Sequence, residues 1–355
     1  MFIALRDLRF ARGRFTLISA VIGLMTLMVV LLTGLTAGLS AASVSAVAAL
    51  PTTDISLAPP TAGQSVAFAT SSLPADTARR IATVPGVRAA HPVGISTTRL
   101  QSADAAAAVT VIGTDPTLFP PLLAGHVPGA GQIALTRALA EDADLQTGET
   151  VTVAGQQVVV ASIVTDTSLA HLPVLYTDID TWQQIAHADT ITAVAVDPGT
   201  AETVAIDLAG GTTTVTREAA FDAVGGFTSE QSSLNLMRWL LVGISVLVVG
   251  SFFTVWTMQR AHDLAVVRAI GGTRGYLLRD ALGQAALVLL VGAGLGALVA
   301  TGLGALAATV VPFVLQPATV ALPLLIMIAV GLLGAAVAVR NVSQVDPLTA
   351  LGASR

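Results

Sequence analysis

Residues 15–39 read FTLISAVIGLMTLMVVLLTGLTAGL, an uncharged apolar run broken only by hydroxyls and glycines. About 20 helical residues, rising 1.5 Å each, cross a hydrocarbon core of ~30 Å. This run is long enough. Arg6, Arg9, Arg12 and Arg14 precede it, and small residues follow at 42–49, as they would in a cleaved signal peptide. Its length exceeds the roughly 7–15 residues of a signal's apolar core, which favours a retained anchor. Working outward, three more runs of this kind lie at 236–258, 281–307 and 320–339. Arg238 is the only charge within them, and it stands near an end where it can snorkel to the interface.

The fold class expected is therefore a membrane α-helical protein with four transmembrane helices in a 1+3 arrangement and an α+β extracellular domain between helices 1 and 2. The segments are a cytoplasmic amino-terminal stretch 1–14, helix 15–39, outer domain 40–235, helix 236–258, cytoplasmic loop 259–280, helix 281–307, short outer loop 308–319, helix 320–339 and cytoplasmic tail 340–355. Composition agrees: hydrophobic residues are 54% and charged residues 11%, against roughly 45–50% and 25% in soluble chains. The net charge of −5 is mild, and no basic patch suggests nucleic acid. There is no cysteine, so thiolate and disulfide chemistry are excluded. All 17 basic residues are Arg, which we read as the composition bias of a GC-rich bacterial genome.

Orientation follows from the arginines. Four stand in the first fourteen residues, and Arg260, Arg268, Arg274 and Arg279 crowd the loop between the second and third spans. Residues 40–235 hold 18 acidic side chains against six Arg. The positive-inside rule then places both termini and that loop in the cytoplasm of a multi-pass plasma-membrane protein. Within the third span, Gly292 and Gly296 form a G-x-x-x-G pair. It is either a close-packing face or ordinary glycine usage in membrane helices.

The outer domain mixes β-rich runs at 54–58, 107–112, 150–153, 157–163 and 191–196 with helical stretches at 75–84, 136–143 and 181–188. Gly155, between two alternating runs, predicts a hairpin. His91, His126, His171 and His187 are scattered, with no H-E-x-x-H, G-x-S-x-G or paired-carboxylate spacing, and each reads as a surface or turn histidine. The chain has no G-x-x-x-x-G-K-[ST], so any ATP that drives it is bound and hydrolysed by another polypeptide. An enzyme activity of its own is not expected.

After the second span stands QRAHDLAVVRAIGGTR, residues 259–274, a short amphipathic helix with charges at Arg260, Asp263 and Arg268 and a stop at Gly271-Gly272. Arg260, Asp263, Ala265, Arg268, Ala269, Gly271, Thr273 and Arg274 resemble the R-x-x-E-x-A-x-x-R-A-x-G-a-T-r loop of MacB/FtsX-like permeases of ABC systems, with Asp for the usual Glu. Residues 346–351, DPLTAL, resemble that family's D-P-x-x-A-L ending, and the layout of the whole chain is similar. The resemblance implies a homodimer bound to two copies of an ABC ATPase subunit, with Arg260, Asp263, Arg268, Gly271, Thr273 and Arg274 in the coupling element.

Within the family, Met1-Phe2-Ile3-Ala4 and residues 33–39, TGLTAGL, are most similar to the HrtB-type haem-efflux permeases. That implies haem, collected from membrane lipid, as the transported ligand rather than a tightly bound cofactor. Candidate iron ligands are Met28, about 21 Å up the first helix from Arg14, and Glu230, the only carboxylate between Asp222 and the second span. Phe227 and Met25 would wall the site. The plainer readings are a filler methionine and a solvated cap. Two other functions stay open: an FtsX-like transmitter that activates an extracellular hydrolase, and extrusion of lipoproteins or peptides.

Overall fold

A helix satisfies its own backbone hydrogen bonds, so apolar sequence can cross lipid only in that form or as a closed barrel. The computed structural model describes residues 12–102, 105–259 and 273–343. Long helices run Arg12–Ala48, Phe227–Gln259, Arg274–Ala307 and Pro317–Ser343. Each is long and apolar enough to span a membrane. All four outrun their apolar segments, most of all where the first continues past Leu39 to Ala48, the second begins at Phe227 rather than Leu236 and the third begins at Arg274 rather than Ala281. Hydropathy marks where apolar surface ends, and the alanines of the stretch beyond Leu39 still favour helix. The chain divides into two compact units, a membrane unit up to Gly38 and from Ser232 onward, and an outer unit of Leu39–Gln231.

In the membrane unit, Phe15, Ile18 and Ile22 of the first helix are buried with Val249 and Phe253 of the second, Ala285 and Leu289 of the third and Ala335 of the fourth. Gly292 and Gly296 belong to a true packing face. A methyl carbon on Gly292 would lie 2.7 Å from the Ser19 carbonyl oxygen, and one on Gly23 would lie 3.0 Å from that of Gly292. The first and third helices thus approach through backbone, the gain that small residues offer between lipid-embedded helices. In the loop between the third and fourth helices, the Phe313 ring covers Gly34 and Gly304, and the Val314 N–H donates to the Gly34 carbonyl at 3.1 Å.

The outer unit is built on a mixed sheet of eleven strands. Its path runs β13 (Thr213–Thr216), β1 (Asp54–Leu57), β12 (Ala193–Asp197), β3 (Ala89–Gln101), β4 (Ala106–Thr114), β10 (Leu172–Thr177), β6 (Gln132–Thr136), β8 (Gln156–Val164) and β5 (Leu122–Gly125). The β4–β10 and β6–β8 pairs are parallel and the others on this path antiparallel. β7 (Thr150–Val153) joins β8 through Ala154 and Gly155, both at positive φ, which is the hairpin expected there. β9 (Ser168–Leu169) pairs with β10. β2 (Leu73–Pro74) and β11 (Thr190–Ile191) form a separate antiparallel pair.

Both faces of the sheet are covered, as the period of two along β10 shows. Val174 and Tyr176 enter one apolar cluster and Leu175 the other. Val44, Ala46 and Val47, from the end of the first helix, lie in the first cluster with Ile55, Leu57, Val93 and Ile112. Each valine so buried contributes about 1.5–3 kcal/mol relative to exposure. Burial pushes the Tyr176 phenol up to about 12, and its hydroxyl pairs with Thr167 Oγ1 at 2.7 Å.

The expected helices appear as Thr77–Ala82, Arg137–Asp142 and Ile179–Ala186. Sequence reading missed the long strand β3, because Pro92 and Gly94 interrupt its pattern. Gly94 faces its cross-strand partner Gly113, and the Trp182 ring lies over both, with its indole N–H donating to Ser96 Oγ at 3.0 Å.

Gly292→Val is expected to lower the thermal unfolding midpoint of the detergent-purified chain, by the roughly 1–3 kcal/mol typical of an overpacked contact. An unchanged midpoint would mean that the first and third helices do not meet there.

Candidate functional site

Glu230 stands in the first turn of the helix Phe227–Gln259, where the exposed amide ends of a helix favour a carboxylate. The start of that helix is tied down locally. Gly226 takes φ +84°, and the Phe227 ring packs edge-on against Phe221 at 6.3 Å and against the core of the outer unit. The Glu230 N–H donates to the Gly226 carbonyl at 3.0 Å.

A second element reaches the same carboxylate. The two residues between β9 and β10 are Ala170 and His171, at φ +50° and +64°. Such a turn matches strand twist but strongly prefers Asn-Gly, because a Cβ is crowded at positive φ. Here the turn is held from outside. The Ala170 N–H donates to the Ser43 carbonyl at 2.9 Å, and the His171 N–H to that of Ala42 at 3.1 Å. Ser45 Oγ accepts from the Ser168 N–H at 2.8 Å and donates to the Ser168 carbonyl at 3.2 Å. The hairpin tip is thereby clamped to the last turns of the first helix.

The result is a polar cluster of Ser43, His171 and Glu230, all within the outer unit. His171 Nε2 lies 3.0 Å from Glu230 Oε2 and 2.9 Å from Ser43 Oγ, and the Ser43 hydroxyl donates to the same Oε2 at 3.4 Å. An ionised carboxylate only accepts, so Nε2 carries the proton it shares with Oε2. The His171 and Glu230 side chains are 44% and 26% exposed, while Ser43 is buried.

Serine, histidine and an acid are the residue types of a nucleophilic triad, but the geometry excludes one. A triad places serine and acid on opposite imidazole nitrogens, so that one nitrogen takes the serine proton while the acid orients the ring from the other side. Here both meet Nε2. What the arrangement can do is hold a carboxylate in one orientation. Among the described residues, no group of three or more His, Cys, Asp or Glu could hold a metal ion.

Met28 is 49% exposed on the first helix, in the membrane unit. Met25 packs with Val29, Val242 and Met327 between helices. Phe227 is occupied by Phe221 and the core of the outer unit. Arg260, Asp263, Arg268 and Gly271 lie outside the described residues, as does the ending at 346–351. Thr273 directly precedes the third long helix, and Arg274 is its first residue.

The other outer histidines are local. His91 Nδ1 faces Asp115 Oδ2 at 3.5 Å, and His187 ends its helix at φ +51° with Nδ1 2.6 Å from the Gln184 carbonyl. Burial would raise the Asp115 carboxyl, but hydrogen bonds from Thr117 and the nearby His91 outweigh it and hold the group below its usual range. His171 was missed because nothing in a separation of 59 residues signals contact with Glu230.

Two family models match the chain in tandem: the MacB-like periplasmic core domain over residues 15–211, and the FtsX-like permease C-terminal domain over 235–347. A Staphylococcus haemolyticus permease named for hemin transport, HrtB, is 27% identical over 99% of both chains. An uncharacterized ABC transporter permease of Mycobacterium tuberculosis H37Rv is 28% identical, again over 99% of both. The extracellular domain of the noncanonic ABC-type transporter YknZ from Gram-positive bacteria aligns with a TM-score of 0.38 at 13% identity, over 46% of this chain and 98% of that one, too low to carry an argument. The core-domain model spans more than half of the sequence, and the chain belongs to the MacB/FtsX-like family of ABC transporter permeases.

Proposed function

We propose that this permease exports haem taken from the membrane, driven by a separate ATPase subunit. The observation that carries the reading is the held carboxylate of Glu230 in the first turn of the second long helix. The full-length likeness to a permease named for hemin transport supports it. Haem partitions into bilayers, so an exporter can receive it from the lipid. Carboxylate and thioether groups can both reach its iron. Glu230 is the first candidate ligand, and Met28, exposed on its helix, is a second to be tested separately. The reading includes a homodimer with two ATPase subunits, both termini in the cytoplasm of a bacterial plasma membrane, and Arg260, Asp263, Arg268, Gly271, Thr273 and Arg274 as the coupling element.

A transmitter that activates an extracellular hydrolase is the second reading. It would need an apolar surface on the outer unit for a protein partner. Val204 and Leu208, one turn apart on the helix Thr203–Gly210, are 69% and 82% exposed, as such a surface requires. Two residues fall short of the several hundred Å² of a typical interaction patch, so haem export is preferred.

A haem titration followed by absorbance is expected to give a saturable Soret shift with the wild type and a weaker one with Glu230→Ala. No shift beyond detergent background would favour the transmitter. Arg268→Glu should leave the protein inserted while cutting the ATPase activity of the reconstituted complex severalfold. Undiminished activity would remove this loop from the docking surface. Because the chain has no native cysteine, Ser65→Cys should label from outside intact cells and Thr273→Cys only after permeabilisation. The reverse pattern would invert the topology.

A further inference from the structure

We propose that His171 and Ser43 are positioning residues that aim the Glu230 carboxylate at the iron of haem, an inference that rests on the haem reading above. Neither is assigned as an iron ligand. Both of their hydrogen bonds converge on Oε2 rather than Oε1, at 3.0 and 3.4 Å. Two donors on one oxygen fix the rotation of the carboxylate and turn Oε1 toward an incoming ligand. Ligating carboxylates and histidines are commonly held this way by groups behind them, and loss of such a partner typically costs about 10–100-fold in affinity.

Three features indicate that the histidine is placed for Glu230 rather than left over from folding. It occupies a turn position at φ +64°, next to Ala170 at +50°, where Asn-Gly would relieve the strain. The strain is over-determined by the N–H hydrogen bonds to the Ala42 and Ser43 carbonyls and by the Ser45–Ser168 pair, the condition under which unfavourable backbone persists at ligand clamps. The imidazole is 44% exposed, so it does not serve as core filling. Ser43 completes the arrangement, since its carbonyl holds the turn and its hydroxyl holds the carboxylate.

The test is a hemin titration of the full-length permease in detergent, as wild type, Ser43→Ala, His171→Ala, His171→Gln and Glu230→Ala. Gln can place an amide N–H near the position of Nε2–H, yet it is a poor iron ligand. His171→Ala and Ser43→Ala are expected to weaken binding by about 10–100-fold and still saturate to the wild-type ferric spectrum. His171→Gln should recover most of the affinity with that same spectrum, whereas Glu230→Ala should change the spectrum itself. Wild-type affinity in His171→Ala would overturn the proposal and leave haem export standing. So would a changed saturated spectrum in His171→Gln, which would make His171 a ligand. A wild type that shows no saturable shift would instead remove the haem reading, and the proposal with it.

Discussion

Val44, Ala46 and Val47 lie on the last turns of a helix whose earlier turns are written for lipid, yet they are buried among the strands of the outer unit. That burial is the constraint on which the rest of the outer unit depends. It lets the helix continue past Leu39, where apolar sequence stops being required, and it brings Ser43 and Ser45 to the β9–β10 hairpin. Without this apolar anchorage, the carbonyls of Ala42 and Ser43 would have no fixed position from which to hold a turn. Packing comes first here, and the polar cluster follows from it.

The cluster shows how an unfavourable backbone is kept. Ala170 and His171 adopt a conformation that glycine or asparagine would enter more readily, and hydrogen bonds from their own amides and from Ser168 to the first helix hold them there. Neutral hydrogen bonds of this kind contribute about 0.5–1.5 kcal/mol each, comparable to the roughly 1–2 kcal/mol of a residue in the left-handed region. The turn is therefore near balance locally and is decided by its docking. The same docking sets the imidazole beside Glu230.

The membrane unit is held together differently. Lipid supplies no hydrophobic force between helices, so close approach of backbones is what distinguishes one arrangement from another. Gly23, Gly292 and Gly296 provide it between the first and third helices, and Gly34 and Gly304 receive the Phe313 ring. The TGLTAGL stretch noted in the sequence thus has a structural reason for its first glycine, independent of any substrate.

Long apolar runs, their arginine flanks and the family pattern at 259–274 were legible in the sequence because each is a local property. A helix in hydrocarbon must be apolar along its own length, and a sequence motif carries its residues consecutively. The hairpin at Gly155 and three short helices were readable for the same reason, whereas β3 was hidden by Pro92 and Gly94. Gly94 makes sense only once Trp182 is known to lie on it and on Gly113. Glu230 could be picked out as a lone carboxylate near a span. Its partners could not, since Ser43 and His171 come from a helix end and a hairpin tip far apart in the chain. The sequence by itself determined a four-helix membrane permease with an inserted domain, through local hydropathy and motif. Only the tertiary structure decided which glycines carry packing and which side chains meet Glu230, because those depend on the distances that folding creates between remote segments.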